Sequence, residues 1–124
     1  MILGIGTDII DNARIERYLS RNELLKNRLF SKAEQEYCDS KAKSAEHYAA
    51  RFAAKEAFFK ALGTGYRYGM AFHEIEVMND ELGKPFIQLS GKAQEFADNM
   101  KVKTVHISIS HLKDIASAFV VLEG

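Results

Sequence analysis

Residues 51–65 read RFAAKEAFFKALGTG, and the rest of the chain is organised around this stretch. Its pattern predicts the second half of a long helix. Glu56 and Lys60 are four residues apart, so they lie one above the other on a single helical face. Phe52 and Phe59 fall on the same face, and we expect them to hold the helix against a sheet. A carboxylate and an ammonium group therefore stand in the middle of an apolar stripe.

The Glu56–Lys60 pair has two interpretations. A surface pair with this spacing stabilises a helix by only about 0.2–0.5 kcal/mol and needs no further role. A charge that faces the core is costly unless a partner, a metal ion or a ligand meets it. The position of the pair favours the second interpretation, and Gly63 and Gly65 are placed to end the helix just beyond it.

The composition is typical of one soluble globular domain, which we expect residues 1–124 to form. Of the residues, 47% are hydrophobic and 27% are charged. The 17 basic and 17 acidic side chains cancel, so no overall field favours nucleic acid or an anionic membrane. No apolar run approaches the roughly 20 residues of a membrane span, and no secretory signal is recognisable. Cys38 is the only cysteine, which excludes an internal disulfide and favours the cytoplasm.

The periodicity along the chain predicts several helices and about five strands. Strands are expected at residues 1–10, 72–79, 86–89, 102–111 and 115–122, the last four as two antiparallel hairpins. Helices are expected at residues 11–19, 31–40, 44–62 and 91–100. This order gives an α+β fold, with antiparallel sheet packed against the long helix. Capping boxes are expected at Ser20–Glu23 and Ser31–Glu34, and simple N-caps at Ser44 and Ser90.

The first strand carries two glycines beside a carboxylate. Gly4, Gly6 and Asp8 alternate along one face, and the other face is apolar. Because both faces are largely apolar, we expect a central strand that is covered on both sides. The glycines favour the close approach of another backbone, and the alanine-rich face of the long helix suits that approach. Asp8 also has a simpler interpretation, as a strand-end carboxylate that caps the next turn.

Packing of the long helix on this strand would bring Asp8 and Glu56 together. Two carboxylates at one site raise each other's pKa unless a cation lies between them. A small set of oxygen ligands without a His or Cys cluster suits Mg²⁺, which keeps several waters and takes a substrate phosphate. Lys60 would face that phosphate as a point charge, and Gly63 and Gly65 would let backbone N–H groups approach it. The arrangement predicts metal-assisted phosphoryl-type chemistry.

Residues 12–32 carry an excess of positive charge in a chain that is neutral overall. Six basic residues outnumber the acidic residues Glu16 and Glu23, and they are Arg14, Arg17, Arg21, Lys26, Arg28 and Lys32. Two interpretations stay open for this segment. It is either a solvated helical surface or a docking surface for an acidic partner.

The histidines show no metal-binding spacing. His106 and His111 fall on opposite faces of one strand, so one ion cannot easily bind both. Ser110 is a poor nucleophile for His111, because adjacent strand residues point apart. His111, at a strand end, is the better candidate for binding a phosphate or a base. His47 and His73 have no motif around them and are expected to be ordinary histidines.

Three segments together resemble a known family. They are GIGTDI at residues 4–9, RFAAKEAFFKALG at residues 51–63 and ISISH at residues 107–111. In this order, over nearly the whole chain, they are similar to the short 4'-phosphopantetheinyl transferases, the holo-[acyl-carrier-protein] synthase family. The resemblance implies the fold of that family. It also implies transfer of the 4'-phosphopantetheine group of coenzyme A to a serine of apo acyl carrier protein, with release of adenosine 3',5'-bisphosphate.

The resemblance implies roles for single residues near the helix and the first strand. Asp8 and Glu56 would bind the Mg²⁺ that holds the pyrophosphate of coenzyme A, and Lys60 would neutralise charge on that pyrophosphate. The base that activates the carrier serine stays open between Glu56 and a metal-bound water. Arg14 and Arg21 would meet the acidic carrier protein.

The resemblance implies further contacts to coenzyme A and an oligomer. Arg51, His111 and Lys43 would contact the nucleotide end, while Lys84 and Pro85, with the Gly63–Gly65 loop, would line the coenzyme groove. A homotrimer with sites between subunits is the implied assembly. Two other classes stay open: a non-catalytic coenzyme A or nucleotide-binding module, and a protein-interaction domain in which Glu56 and Lys60 form only an interface ion pair.

Overall fold

The computed structural model describes all residues, 1–124, as one α+β unit. The strands are β1 (Ile2–Asp11), β2 (Ile75–Asn79), β3 (Pro85–Leu89), β4 (Thr104–His111) and β5 (Ile115–Glu123). The helices are α1 (Asn12–Arg21), α2 (Glu23–Leu29), α3 (Lys32–Asp39), α4 (Ser44–Leu62) and α5 (Gly91–Asn99). A short 3-10 helix, Phe72–Glu74, precedes β2. None of the helices combines the length and the hydropathy that crossing a bilayer requires.

Two antiparallel sheets flank the long helix α4. The larger sheet has the strand order β1-β5-β4, and the smaller one pairs β2 with β3. The α+β architecture and both antiparallel hairpins are therefore confirmed. The expectation of a central first strand is wrong, because β1 lies at the edge of its sheet. Ile5 and Ile9 on its outer face are 60% and 68% exposed, since nothing in the chain covers that face.

The two glycines of β1 permit close packing of α4, as the sequence predicted. A Cβ atom at Gly6 would lie 2.0 Å from the carbonyl oxygen of Ala57, and one at Gly4 would lie 2.0 Å from that of Ala61. Real Cβ atoms never approach a backbone oxygen so closely, so any side chain at either position would push α4 away. This packing sets the distance between α4 and β1 at Asp8, which follows Gly6 by two residues.

The long helix is buried nearly all round. Of its 19 residues, 13 are buried. The helix is therefore enclosed on more sides than the single apolar stripe expected from the sequence. Phe52 and Phe59, which we expected to hold the helix against a sheet, pack on Phe72 just before β2. Their ring centroids lie 5.6 and 5.1 Å from that of Phe72, on the side of the 3-10 helix. The larger sheet instead meets the alanines of α4, because only a narrow helix face fits against β1.

Of the two predicted capping boxes, one is present in the structure and the other is not. Ser31 and Glu34 form the expected capping box at α3. Ser20 does not cap α2, because it still belongs to α1 and its hydroxyl donates to the carbonyl of Arg17. Asn22 takes that role, and its side chain accepts from the N–H of Leu24.

The remaining caps are not made by the predicted serines. Ser44 is the first residue of α4, and the N-cap position is held by Lys43 without a side-chain bond. Ser90 occupies the N-cap position of α5 but makes no capping bond. The carboxylate of Glu74 reaches across from the 3-10 helix and accepts from the N–H of Lys92 instead. Residues 72–74 form a turn where a strand was predicted, because the N–H of Glu74 donates to the carbonyl of Ala71 and the Glu74 side chain accepts from the N–H of Ala71.

Candidate active site

Asp8 on β1 and Lys60 on α4 form the centre of the first cluster of polar side chains. The Lys60 Nζ atom lies 3.0 Å from Asp8 Oδ1 and 3.0 Å from the carbonyl oxygen of Thr7. The Lys60 side chain is 54% exposed and that of Asp8 is 17% exposed, so the pair opens to solvent. The close packing at Gly6 brings the two elements together at this point.

Glu56, one turn before Lys60, belongs to the same cluster. It is half-buried, and this burial is the main cause that raises its pKa above the usual glutamate value. The negative charge of Asp8 raises the pKa further, while Lys60 and Arg14 act in the opposite direction. The structure thus brings two carboxylates close enough to repel each other, and the two basic groups compensate only in part.

Arg14 on α1 lies at the edge of this cluster. Its Nε atom donates to the Tyr18 hydroxyl at 2.8 Å, and its guanidinium carbon lies 5.3 Å from the centroid of the same ring. The hydrogen bond to Tyr18 is the main cause that raises the pKa of Arg14, with smaller effects from Glu56 and Asp8. Arg21, at the end of α1, is also exposed. The exposed face of α1 therefore presents positive charge beside the carboxylates.

A second cluster surrounds a cavity of about 230 Å³ between α3, α4, β4 and the β2–β3 turn. Arg51 is only 4% exposed, and its Nη2 atom donates to Asn79 Oδ1 at 2.7 Å. Its guanidinium carbon lies 4.2 Å from the Tyr37 ring centroid. The Nε atom of Arg51 is buried without a partner. His111 and Pro85 line the same cavity.

The predicted coenzyme contacts are only partly gathered in this cavity. Arg51, Pro85 and His111 line it, whereas Lys84 is exposed in the adjoining turn and Lys43 is exposed before α4. Gly63 and Gly65 lie at the other end of α4, beyond Lys60. Both have the positive φ that glycine adopts readily, at 79° and 63°.

Sequence reasoning missed His47, Tyr37 and Asn79 as lining residues of the cavity. The signal for His47 was present, because it precedes Arg51 by four residues and so shares its face of α4. Tyr37 and Asn79 reach the cavity from α3 and β2 through tertiary packing, which no local pattern reveals.

The two clusters face away from each other. Arg51 and Lys60 are nine residues apart on α4, which at 100° per residue places them on opposite sides of the helix. Along the axis they are separated by roughly 13 Å, from the rise of an α-helix. A single chain therefore offers a carboxylate–lysine cluster and an arginine–histidine cavity as two half-sites.

Comparison with known proteins decides the family. The profile of the 4'-phosphopantetheinyl transferase superfamily matches residues 4–120, almost the whole chain. The chain belongs to this superfamily. It is 54% identical to the holo-[acyl-carrier-protein] synthase of Geobacter metallireducens over 124 residues, which cover 99% of the chain and 98% of that relative.

Solved structures of this transferase family share the fold closely. The holo-[acyl-carrier-protein] synthase of Neisseria meningitidis superposes with a TM-score of 0.90 at 37% identity, over 100% of both chains. The synthase of Bacillus anthracis, in complex with coenzyme A (3',5'-ADP), has a TM-score of 0.80 at 40% identity, over 98% of this chain and 96% of its own. The synthase of Helicobacter pylori, in complex with coenzyme A, has a TM-score of 0.84 at 33% identity, over 96% and 99%.

Proposed function

We propose that this transferase moves the 4'-phosphopantetheine group of coenzyme A onto a serine of apo acyl carrier protein and releases adenosine 3',5'-bisphosphate. The observation that carries the proposal is the Asp8–Glu56–Lys60 cluster, built where two glycines let α4 meet β1. Relatives up to 54% identical are named for this activity, and two of the structural relatives are complexes with the coenzyme.

Asp8 and Glu56 fit a Mg²⁺ ion. Burial is the main cause that raises the pKa of Glu56, and the negative charge of Asp8 raises it further; a cation between the two carboxylates would relieve this second effect. Two carboxylates leave most positions around the ion to water and substrate phosphate, as Mg²⁺ prefers. When bound, the ion would neutralise negative charge on the pyrophosphate of coenzyme A.

The chain's own groups have distinct tasks in the transfer. Lys60, now held by Asp8 and the Thr7 carbonyl, has a flexible exposed side chain that can turn to the pyrophosphate oxygens. There its charge would stabilise the bisphosphate as it leaves. The proton of the carrier serine would pass to Glu56 or to a water molecule at the same site, because Glu56 is the half-buried carboxylate one turn before Lys60.

The cavity around Arg51 suits the nucleotide end of coenzyme A. The unpaired Nε–H of Arg51 is a buried donor that an anion would satisfy, and His111 offers a second ring beside it. Lys84, in the turn beside the cavity, and Lys43, before α4, are exposed positive charges that phosphate groups of the coenzyme could meet. At the other half-site, the space beside Gly63 and Gly65 is open to the coenzyme beyond Lys60, and the N–H of Gly63 itself donates to the carbonyl of Lys60.

The opposite placement of the two half-sites supports a homotrimer with active sites between subunits. One coenzyme molecule could then meet the carboxylates of one copy and the arginine cavity of another. The outer face of the larger sheet is suited to the contact, since Ile5, Ile9, Ile115 and Phe119 are between 42% and 68% exposed on it. Apolar patches of this kind mark interfaces in proteins.

Arg14 and Arg21 are the proposed contacts for the carrier protein, because Arg14 presents positive charge beside the carboxylate cluster and Arg21 is exposed on the same helix. We further propose that residues 1–124 act as one transferase domain in the cytoplasm, without nucleic-acid or membrane partners. The neutral net charge and the single, fully buried Cys38 support this environment.

A mass measurement of the carrier tests the function directly. Protein, coenzyme A, Mg²⁺ and several apo carrier proteins are mixed, and the expected result is a carrier heavier by one phosphopantetheine group. Asp8→Ala and Glu56→Ala should each lower the rate by at least about a hundredfold while the far-ultraviolet circular dichroism is unchanged. Coenzyme binding without any mass gain would identify a non-catalytic binding module instead.

A further inference from the structure

His47 lies in the second cluster, beside two aromatic neighbours. Its ring centroid is 5.8 Å from that of His111 and 5.8 Å from that of Tyr37. It lines the same cavity of about 230 Å³ as Arg51, whose buried Nε atom has no partner. Two imidazoles and one arginine therefore border a single cavity that contains an unsatisfied donor.

The charges that face His47 are mostly positive. Burial is the main cause that lowers its pKa, and His111 from β4 and Arg51 from α4 lower it further. Lys41, from the segment before α4, acts in the same direction, and Glu46 is the only acidic group that opposes them. Tyr37 from α3 adds an aromatic ring to these neighbours. In the free protein this arrangement favours a neutral imidazole in a positive environment that an anion would balance.

We propose that His47 is a coenzyme-binding residue that takes up a proton when the 3'-phosphate monoester of coenzyme A enters the cavity. The inference rests on the proposed function and assigns a residue to its nucleotide half-site. Of the phosphate groups in coenzyme A, only this monoester gains a second negative charge near neutral pH, since its second pKa is near 6. A dianion beside His47 would favour the protonated ring, and the proton comes from solvent.

The position of His47 makes it a better proton acceptor for this purpose than a loop residue would be. It precedes Arg51 by one helical turn, so both side chains project from one rigid face of α4 toward the cavity. Proton uptake on binding means that affinity rises as pH falls through the pKa of the bound state. Protonation of the monoester itself opposes this trend only below about pH 6.

Titration calorimetry of coenzyme A binding tests the inference. Measurements at neutral pH in two buffers with different ionisation enthalpies give the number of protons taken up per coenzyme bound. We expect the wild type to take up more protons than His47→Phe, and the variant to lose about three- to tenfold in affinity near pH 6.5 and less near pH 8. His73→Phe, at an exposed histidine outside this cavity, is the matched control and should behave as the wild type.

Two further arms separate this role from a structural one. Dephospho-coenzyme A lacks the 3'-phosphate, so the wild type and His47→Phe should bind it equally. His47→Lys should regain affinity for coenzyme A without the pH dependence, because its charge is permanent. His47→Gln, which keeps a polar side chain but cannot be protonated, replaces His47→Phe if that variant does not fold.

The inference and the proposed function fail in different ways. Equal proton uptake by the wild type and both uncharged variants would overturn the role of His47 while leaving transfer to the carrier intact. A loss of affinity that is the same at every pH, or the same for dephospho-coenzyme A, would also overturn it. No binding of coenzyme A by the wild type, together with no mass gain of any carrier, would refute the proposed function itself.

Discussion

Helix α4 makes two lysine–carboxylate pairs that differ in almost everything except their chemistry. Lys55 meets Glu34 of α3 at 2.7 Å, and both side chains are 0% exposed. Lys60 meets Asp8 of β1 at 3.0 Å, and the two side chains are 54% and 17% exposed. The two lysines are only five residues apart, so the difference comes from what each face of the helix packs against.

The buried pair has no capacity left for a ligand. The three ammonium hydrogens of Lys55 find three acceptors: Glu34 Oε1 at 2.7 Å, and the carbonyl oxygens of Phe72 and Ile75 at 2.9 and 2.6 Å. Glu34 in turn accepts from the N–H of Val77 at 3.0 Å. The pair therefore joins α3, α4 and the start of β2, and its role is structural.

The exposed pair keeps that capacity. Lys60 has two acceptors, both on β1, and its mobile end can exchange one of them for a phosphate oxygen. The difference teaches that sequence spacing alone does not mark a lysine that is available to a ligand. What separates Lys60 from Lys55 is incomplete hydrogen bonding in an exposed place.

Replacement of Lys55 should produce the largest loss of stability. Lys55→Met leaves the Glu34 carboxylate buried without its counter-ion, so we expect the free energy of unfolding to fall by about 3–5 kcal/mol, measured in urea. The double variant Glu34→Gln/Lys55→Met removes the buried charge and should recover part of that loss. Lys92→Met, in an exposed pair with Glu95, is the control and should cost less than about 1 kcal/mol. A loss as small as that of Lys92→Met would contradict the structural role.

Replacement of Lys60 should give the opposite pattern. Lys60→Met is expected to change the free energy of unfolding by less than about 1 kcal/mol, because the pair is exposed. The transfer rate should fall by about 10²- to 10³-fold, since a charge that stabilises the leaving bisphosphate is lost. Rate and stability are measured on the same preparation. If Lys60→Met unfolded as readily as Lys55→Met and kept its rate, the comparison of the two pairs would be reversed.

The sequence predicted the exposed pair's surroundings better than those of the buried pair. Gly4 and Gly6 predicted the close approach of α4 because a missing Cβ is a local signal with one main physical use. Lys55 could not be explained, because its partner Glu34 lies 21 residues away and already had a role in the capping box. Long-range partners of this kind are set by tertiary packing.

The same limit applies to the second cluster and to β1. His47 shares a helical face with Arg51, but its neighbour His111 is brought to it only by the position of β4 beside α4. The apolar outer face of β1 predicted a covered strand, yet Ile5 and Ile9 are exposed in the single chain. An apolar strand face predicts that the face is covered, but the pattern does not distinguish a cover from the same chain from a cover by another chain.

Replacement of Arg14 tests whether the Lys60–Asp8 pair lies beside the proposed docking surface for the carrier protein. Arg14→Glu should raise the KM for the carrier protein by about tenfold and leave the KM for coenzyme A nearly unchanged, because a charge at the rim of an interface acts mainly on its own partner. Lys103→Glu, the same charge reversal at an exposed residue before β4, is the matched control and should change neither KM. Equal increases in both KM values would place Arg14 in the coenzyme site instead.

Replacement of Glu56 should give the smallest change in stability. It tests whether the cluster of Asp8, Glu56 and Lys60 carries an uncompensated carboxylate. The pKa of Glu56 is raised in the folded protein, mainly by burial and then by Asp8, so the folded state binds more protons than the unfolded state in the range between the two pKa values. Stability therefore falls as pH rises through that range, and this contribution is fully present only below the unfolded value, near 4.3. Glu56→Gln removes the dependence. Without Mg²⁺, the variant should melt at a temperature higher than the wild type by less than about 4 °C at pH 7, and the two should converge near pH 4.

Addition of Mg²⁺ tests the cation site directly. A cation between Asp8 and Glu56 would stabilise the wild type by mass action, whereas Glu56→Gln offers it one carboxylate and should respond much less. The buried Lys55–Glu34 pair is the internal reference, because Lys55 already satisfies Glu34 and no ion can enter. If Glu56→Gln melted below the wild type at pH 7 without Mg²⁺, the carboxylate would be stabilised by Lys60 and Arg14 more than it is opposed by Asp8. The exposed cluster would then resemble the buried pair, and the case for a cation at this site would be lost.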